Sequence, residues 1–380
     1  MAPHEKVFVD SDFLDDENHG EISCAKCHGG DPTAIDYKKA HAKLVRDPSF
    51  PTAKVCAECH DTAAEHYEKS LHYSLAPMRK MIMQRADDKP AVHAKLNQAF
   101  DNHCASCHSS CGQCHISRPA SVGGGLLAGH AFEKTAPEKE TCTACHGSRV
   151  GNEYFGKDKG CTPDVHRQKA FMKCQKCHTA KEMHGDGKDY HHRLDVENGP
   201  KCDDCHKGIY TAKGQNKATH DQHRGKVSCQ VCHSQPYQNC AGCHVGQAKG
   251  GQYYYKLDKH WHDFKVGLNP KPSPRRPEKF VTLRHAPIAP DTFSFYVKNA
   301  LTNFDSFPTW KPATPHNIRR KTEQNASCNN CHGNPRLFLR EKDVDQKYRK
   351  ANQPVIVPAG MIPKKVNNPP SQAETDKKTK

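Results

Sequence analysis

Residues 104–115 read CASCHSSCGQCH, two copies of Cys-x-x-Cys-His within twelve residues. Outward from there, the same pattern begins at Cys24, Cys56, Cys142, Cys174, Cys202, Cys229, Cys240 and Cys328, so ten copies, with Cys104 and Cys111, use 20 of the 21 cysteines. The second cysteines are Cys27, Cys59, Cys107, Cys114, Cys145, Cys177, Cys205, Cys232, Cys243 and Cys331. The histidines that follow are His28, His60, His108, His115, His146, His178, His206, His233, His244 and His332. With 21 Cys and 28 His in 380 residues, random placement would supply about 0.1 copy. One chemistry needs this spacing: two thiols add across the vinyl groups of a haem, and the adjacent imidazole ligates its iron. A lone C-x-x-C is more often a zinc half-site or a redox dithiol. Zinc, however, wants ligands in fours and has no use for a His after every second Cys. Disulfide scaffolds do not space every cysteine pair by two residues. Ten covalent haem c groups are expected.

Composition agrees. Apolar residues make up 35% of the chain and mean hydropathy is −0.90, poor material for an ordinary core. The cofactor is therefore expected to be the core, and the chain without it to be largely unfolded. The formal charge of +15 invites a nucleic-acid or membrane-surface partner. Ten haems add about −20 in propionates and about +10 from ferric porphyrin cores, leaving the oxidised protein near +5. The basic residues thus mainly offset propionates, and no nucleic-acid partner is expected. Residues 1–20 contain no apolar signal core, and no run approaches the length of a membrane helix, so no transmembrane segment is expected. Since thioether haem is assembled after export, the reading is a mature, exported chain, periplasmic or at the cell surface.

Three zones follow from motif density. Residues 1–244 form a nine-haem region, 245–332 a haem-poor region plus the tenth haem, and 333–380 a Lys- and Pro-bearing extended tail. The 25 Gly and 26 Pro favour loops, so mostly coil with short helices is expected. Residues 56–73 read as helix, and 252–256 and 279–297 as strands. Gly123, Gly124 and Gly125 lack a phosphate-binding frame and read as a turn. Cys161, the odd cysteine, reads first as an inert buried residue, with a free thiol or an intermolecular partner as the alternatives.

Closing ten irons needs ten further ligands, and 18 histidines lie outside the motifs. Position ranks His19, His41, His72, His130, His166, His184, His220, His223, His285 and His316 first. His19 and His223 lie just ahead of a motif in similar contexts. His285 and His316 stand isolated in the haem-poor zone. His93, His103, His191, His192, His260 and His262 are reserves, with His4 and His66 behind them.

With these motifs placed, the chain resembles the multihaem c-type cytochromes of anaerobic respiration across residues 19–332. Segments such as CTACHGSRVGNEYFG (142–156) and SFPTWKPATPHN (306–317) are similar to those of exported cytochromes of metal- and sulfur-metabolising microbes. The resemblance implies the fold class of a multihaem cytochrome c: haem-cored, mostly coil with short α-helices and few β-strands. It also implies electron transfer without substrate chemistry, to other redox proteins or extracellular acceptors, either as a monomeric shuttle or as a homo-oligomer or filament. In the polymer, part of residues 245–327 and 333–380 would cross to a neighbouring subunit, with His285 or His316 as a ligand in trans. The alternative is a reductase of nitrogen or sulfur oxyanions with one open-site haem, as in octahaem hydroxylamine oxidoreductases and tetrathionate reductases. No C-x-x-C-K motif of the nitrite reductase kind occurs. Denaturing mass spectrometry of the mature chain should show ten haem increments, and a count of nine or fewer would remove a motif from this reading.

Overall fold

The computed structural model describes residues 2–105 and 109–367, which group into two compact units. The first takes in the described residues of 1–81, 100–148 and 173–199, the second those of 82–99, 149–172 and 200–367. This grouping by packing differs from the zones of motif density. Cys107 and His108 of the third motif, and the Lys-rich end 368–380, lie outside the described residues.

The first unit is built from short helices and turns. Most motifs form a single helical turn, which puts cysteines at i and i+3 on one side with the His just beyond. The local sequence explains the turns. Ser23 caps Cys24–His28 by accepting from the Lys26 N–H, and Gly29 ends that helix at φ +70°. Ser110 caps Cys111–His115 through the Gln113 N–H. Such caps satisfy N–H groups that a one-turn helix leaves unpaired. The helix expected over 56–73 is broken into Lys54–Ala57, Asp61–Lys69 and Leu71–Ser74. Ser70 takes an extended conformation (ψ 160°) and turns its hydroxyl to the Tyr73 N–H, restarting the helix.

The second unit contains the strands. β1 (Tyr237–Gln247) pairs antiparallel with β2 (Tyr253–Asp263). β3 (Lys265–Leu268), β4 (Phe280–His285) and β5 (Trp310–Pro312) form an antiparallel sheet in that order. The strand expected over 252–256 is present within β2. That over 279–297 stops at His285, because Pro287 and Pro290 lack the N–H a ladder requires. The ninth motif departs from the helical turn and lies in β1. There Gly242 sits at φ +56°, where a Cβ would overlap the Asp258 carboxylate, so only glycine fits the kink.

Val281, Leu283, Trp310, Leu339, Val344, Tyr348, Val355 and Ile356 form one buried cluster, and Tyr237, Phe264, Val266, Phe338 and Val357 belong to another. The helix Pro90–His103 packs Val92, Leu96 and Ala99, spaced four and three apart, against Phe293, Ala300 and Leu301. The expectation that cofactor alone forms the core is thus corrected for this unit. The sparse apolar residues are concentrated here. Residues 335–362, read as part of an extended tail, close the core instead. Leu339 N–H donates to Val266 O, Leu268 N–H to Val355 O and Val357 N–H to Leu339 O, all at 2.8–3.0 Å. Among the described residues no helix is long and apolar enough to cross a membrane.

Leu283 is fully buried. Leu283→Ala should cost the second unit about 2–5 kcal/mol, read as a lower denaturant midpoint, with haem content unchanged.

Candidate functional site

Among the described residues, the ring of a motif histidine faces a histidine from outside the motifs in seven places. In the first unit His60 faces His19 (ring centroids 6.3 Å apart), His28 faces His130 (6.0 Å), His146 faces His72 (6.3 Å) and His115 faces His184 (6.1 Å). In the second, His206 faces His166 (5.9 Å), His233 faces His220 (6.3 Å) and His332 faces His223 (6.1 Å). An iron about 2 Å from a nitrogen of each of two opposed imidazoles would hold the ring centres about 6.3 Å apart. The donor pairs therefore fit a six-coordinate haem iron. The interplanar angles run from 24° to 89°, as suits rings that share an axis but no plane.

Six of these rings are turned by a backbone carbonyl at Nδ1, whereas the Nδ1 of His130 is buried without a partner. His28 Nδ1 donates to Val45 O (2.8 Å), His115 to Glu133 O (2.6 Å), His233 to Arg319 O (3.0 Å) and His332 to Lys364 O (3.2 Å). Opposite them, His220 donates to Gln215 O (3.1 Å) and His223 to Thr219 O (2.7 Å). Anchoring Nδ1–H leaves the Nε2 lone pair for a metal. His220 and His223 lie on one helix, Lys217–His223, so a single turn serves two ring pairs. Burial pushes His72 down to about 4 and lowers His146, His130, His184 and His233 as well. These rings are neutral at physiological pH, the state in which imidazole ligates.

Three anchors are carboxylates. Asp16 Oδ1 is 3.3 Å from His19 Nδ1, Asp164 Oδ1 is 2.8 Å from His166 Nδ1, and Glu182 Oε2 is 2.9 Å from His178 Nδ1. Their side-chain hydrogen bonds raise the pKa of His166 and His178. Sequence reading missed these three residues, although an acid two to four positions from a histidine was a signal within reach.

The thiols bring neighbouring motifs together. Cys56 hydrogen-bonds with Cys111, Cys142 with Cys174, and Cys202 with Cys229, each lowering the first thiol's pKa and raising the second's. Cys174 is also held by Glu138, which accepts from its N–H (2.9 Å) and its thiol (3.2 Å). The second motif thus adjoins the fourth, the fifth the sixth, and the seventh the eighth. No sequence spacing carried this.

The other expected residues are placed differently. His41 is exposed, its Nδ1 on Tyr37 O at 2.7 Å. His285 is buried between Trp261 and Trp310 and donates to the Cys240 carbonyl. The backbone N–H of His316 donates to the buried carboxylate of Glu153 (2.9 Å). His285 is therefore enclosed by its own chain, which corrects the expectation that it reaches a neighbour as a ligand in trans. The ninth motif is the exception among the cysteines. Cys240 is fully buried in β1, and His244 lies against Asp258 (Nε2, 3.1 Å) and Asp291 (Nδ1, 3.8 Å). As placed, these residues do not fit a haem. Cys161 donates to Pro236 O (3.5 Å), and burial raises its pKa, which makes it a poor nucleophile.

No family model matches the chain, and no curated protein matches it. Among solved structures, an octaheme cytochrome c from Shewanella oneidensis is similar at 16% identity, with a TM-score of 0.33 over 56% of this chain and 61% of that one. The chain thus spans less than two thirds of that protein's length. The expectation that the chain is not an enzyme is corrected on this finding.

His220→Ala should turn one low-spin haem high-spin in the electron paramagnetic resonance spectrum of the oxidised protein. His262→Ala, at a ring 3.3 Å from Asp158, should leave the spin count unchanged. A silent His220→Ala variant would break the pairing reading.

Proposed function

We propose that this chain is a multihaem c-type cytochrome that passes electrons along covalently bound haems outside the cytoplasm, in anaerobic or extracellular respiration. The observation that carries this is the set of seven imidazole pairs, each joining a Cys-x-x-Cys-His histidine to one from elsewhere at 5.9–6.3 Å. Ten haems remain the count implied by the motifs. In this reading the cysteine pairs would tether the cofactor, and the paired imidazoles would hold its iron. When bound, each haem supplies a one-electron couple.

The residues suit transfer. Rings whose Nδ1 atoms are fixed to backbone carbonyls keep their positions whichever charge the iron carries, so little reorganisation accompanies each electron. The thiol contacts Cys56–Cys111, Cys142–Cys174 and Cys202–Cys229 would place the attachment points of successive haems next to one another within each unit. Electrons would enter from and leave to other redox proteins or extracellular acceptors. We read the carrier as a single chain and not a filament, because residues 335–362 and His285 are committed to their own core.

Oxidised native protein should show low-spin ferric signals for at least the seven paired sites and sediment as a monodisperse monomer. Filaments under the electron microscope would overturn the single-chain reading. A high-spin signal that shifts on adding nitrite would favour the reductase.

A further inference from the structure

The anchors at Nδ1 divide the histidines into two electrostatic classes. His28, His115, His220, His223, His233 and His332 donate to backbone carbonyls, which are neutral dipoles. His178 and His166 donate to carboxylates that are themselves largely buried. Asp164 has 4% of its side chain exposed and Glu182 16%. Neither has a Lys or Arg within ion-pair distance among the described residues. Asp164 is locked in place: Oδ1 also accepts from the His166 N–H and Oδ2 from the Ile318 N–H, both at 2.8 Å. The Glu182 carboxylate meets the His178 ring one helical turn away. Asp16 is a weaker case, at 3.3 Å from His19 and more exposed, so water screens it.

A carboxylate on Nδ1–H draws the proton away from the ring and makes Nε2 a stronger donor to a metal. Its negative charge acts in the same direction through a poorly screened medium. Both effects favour ferric over ferrous iron and lower the reduction potential. We propose that Glu182 and Asp164 are positioning residues that make the sixth and seventh motif sites, Cys174–His178 and Cys202–His206, the most reducing in their respective units. Glu182 acts through the motif ligand itself, and Asp164 through His166, which faces His206. The inference rests on the haem reading above. In the second unit it gives the path a direction. The seventh site touches the eighth through Cys202 and Cys229. The eighth adjoins the tenth through the helix that bears both His220 and His223. Electrons therefore run downhill from the carboxylate-anchored seventh site toward sites anchored by carbonyls alone.

The bland role for Asp164 is to cap the helix Val165–Ala170, and stability alone would not separate the two. Redox titration of the holo-protein does. Glu182→Gln keeps size and an acceptor oxygen and removes the charge. It should raise one of the two lowest midpoints so that the oxidised-to-reduced ratio of that haem at fixed potential falls at least tenfold, about 59 mV for one electron, with the other midpoints unmoved. Asp164→Asn should do the same to the other. Should Asp164→Asn fail to fold, Glu182→Gln alone decides. A fully haem-loaded, low-spin Glu182→Gln protein with unchanged midpoints overturns the proposal while leaving the haem reading intact. Absence of covalent haem at Cys174 and Cys202 in the denatured mass overturns both.

Discussion

Two imidazoles facing each other across a slot about one iron wide organise most of this molecule. Several pairs join a motif to a segment far away in the chain: His28 to His130, His72 to His146, His223 to His332. A bond through a shared iron at such a pair closes a long loop, and the entropy of doing so rises only slowly with loop length. That suits a chain with little apolar material. On the proposed reading, in the first unit, where motif turns and capping serines supply the local structure, such cross-links would replace the side-chain burial that otherwise holds short helices together. The Nδ1 anchors matter because they choose which nitrogen faces the slot before any metal is considered.

The second unit is held differently. Its strands β3, β4 and β5 and the segment 335–362 bury Leu283, Trp310, Leu339 and Val355 in an apolar cluster that needs no cofactor. Beneath the ninth motif this core carries charge: Glu153, fully buried, is ion-paired with Arg284, and burial raises the Glu153 pKa. Removing either partner would strand the other in a poorly solvated place. On the proposed reading, ligation and burial would thus divide the chain between them.

The ninth motif shows where a pattern and its surroundings conflict. Cys-x-x-Cys-His at 240–244 has the spacing of the other nine, yet the tyrosines, Leu257 and Trp261 of β2 give it a strand partner, and β-pairing buries Cys240. A helical turn would present Cys240 and Cys243 to one side. In the hairpin, the Gly242 kink, the Asp258 carboxylate beside His244 and the Cys240 carbonyl held by His285 all serve the ladder and its packing.

The sequence by itself determined the chemistry of the motifs, because covalent attachment needs only residue types at fixed short spacings. It also ranked His19, His72, His130, His166, His184, His220 and His223 among the partners by their position relative to those motifs. Which motif histidine each would face, which thiols would touch, and which anchors would be carboxylates were decided by the tertiary structure. These depend on segments distant in the chain meeting at distances of a few ångströms. His285 makes the difference plain. By spacing it stood with the seven, but a side chain's neighbours in space determine what it does. Its place between Trp261 and Trp310 was set by the packing of β2, β4 and β5, which no local pattern around residue 285 encodes.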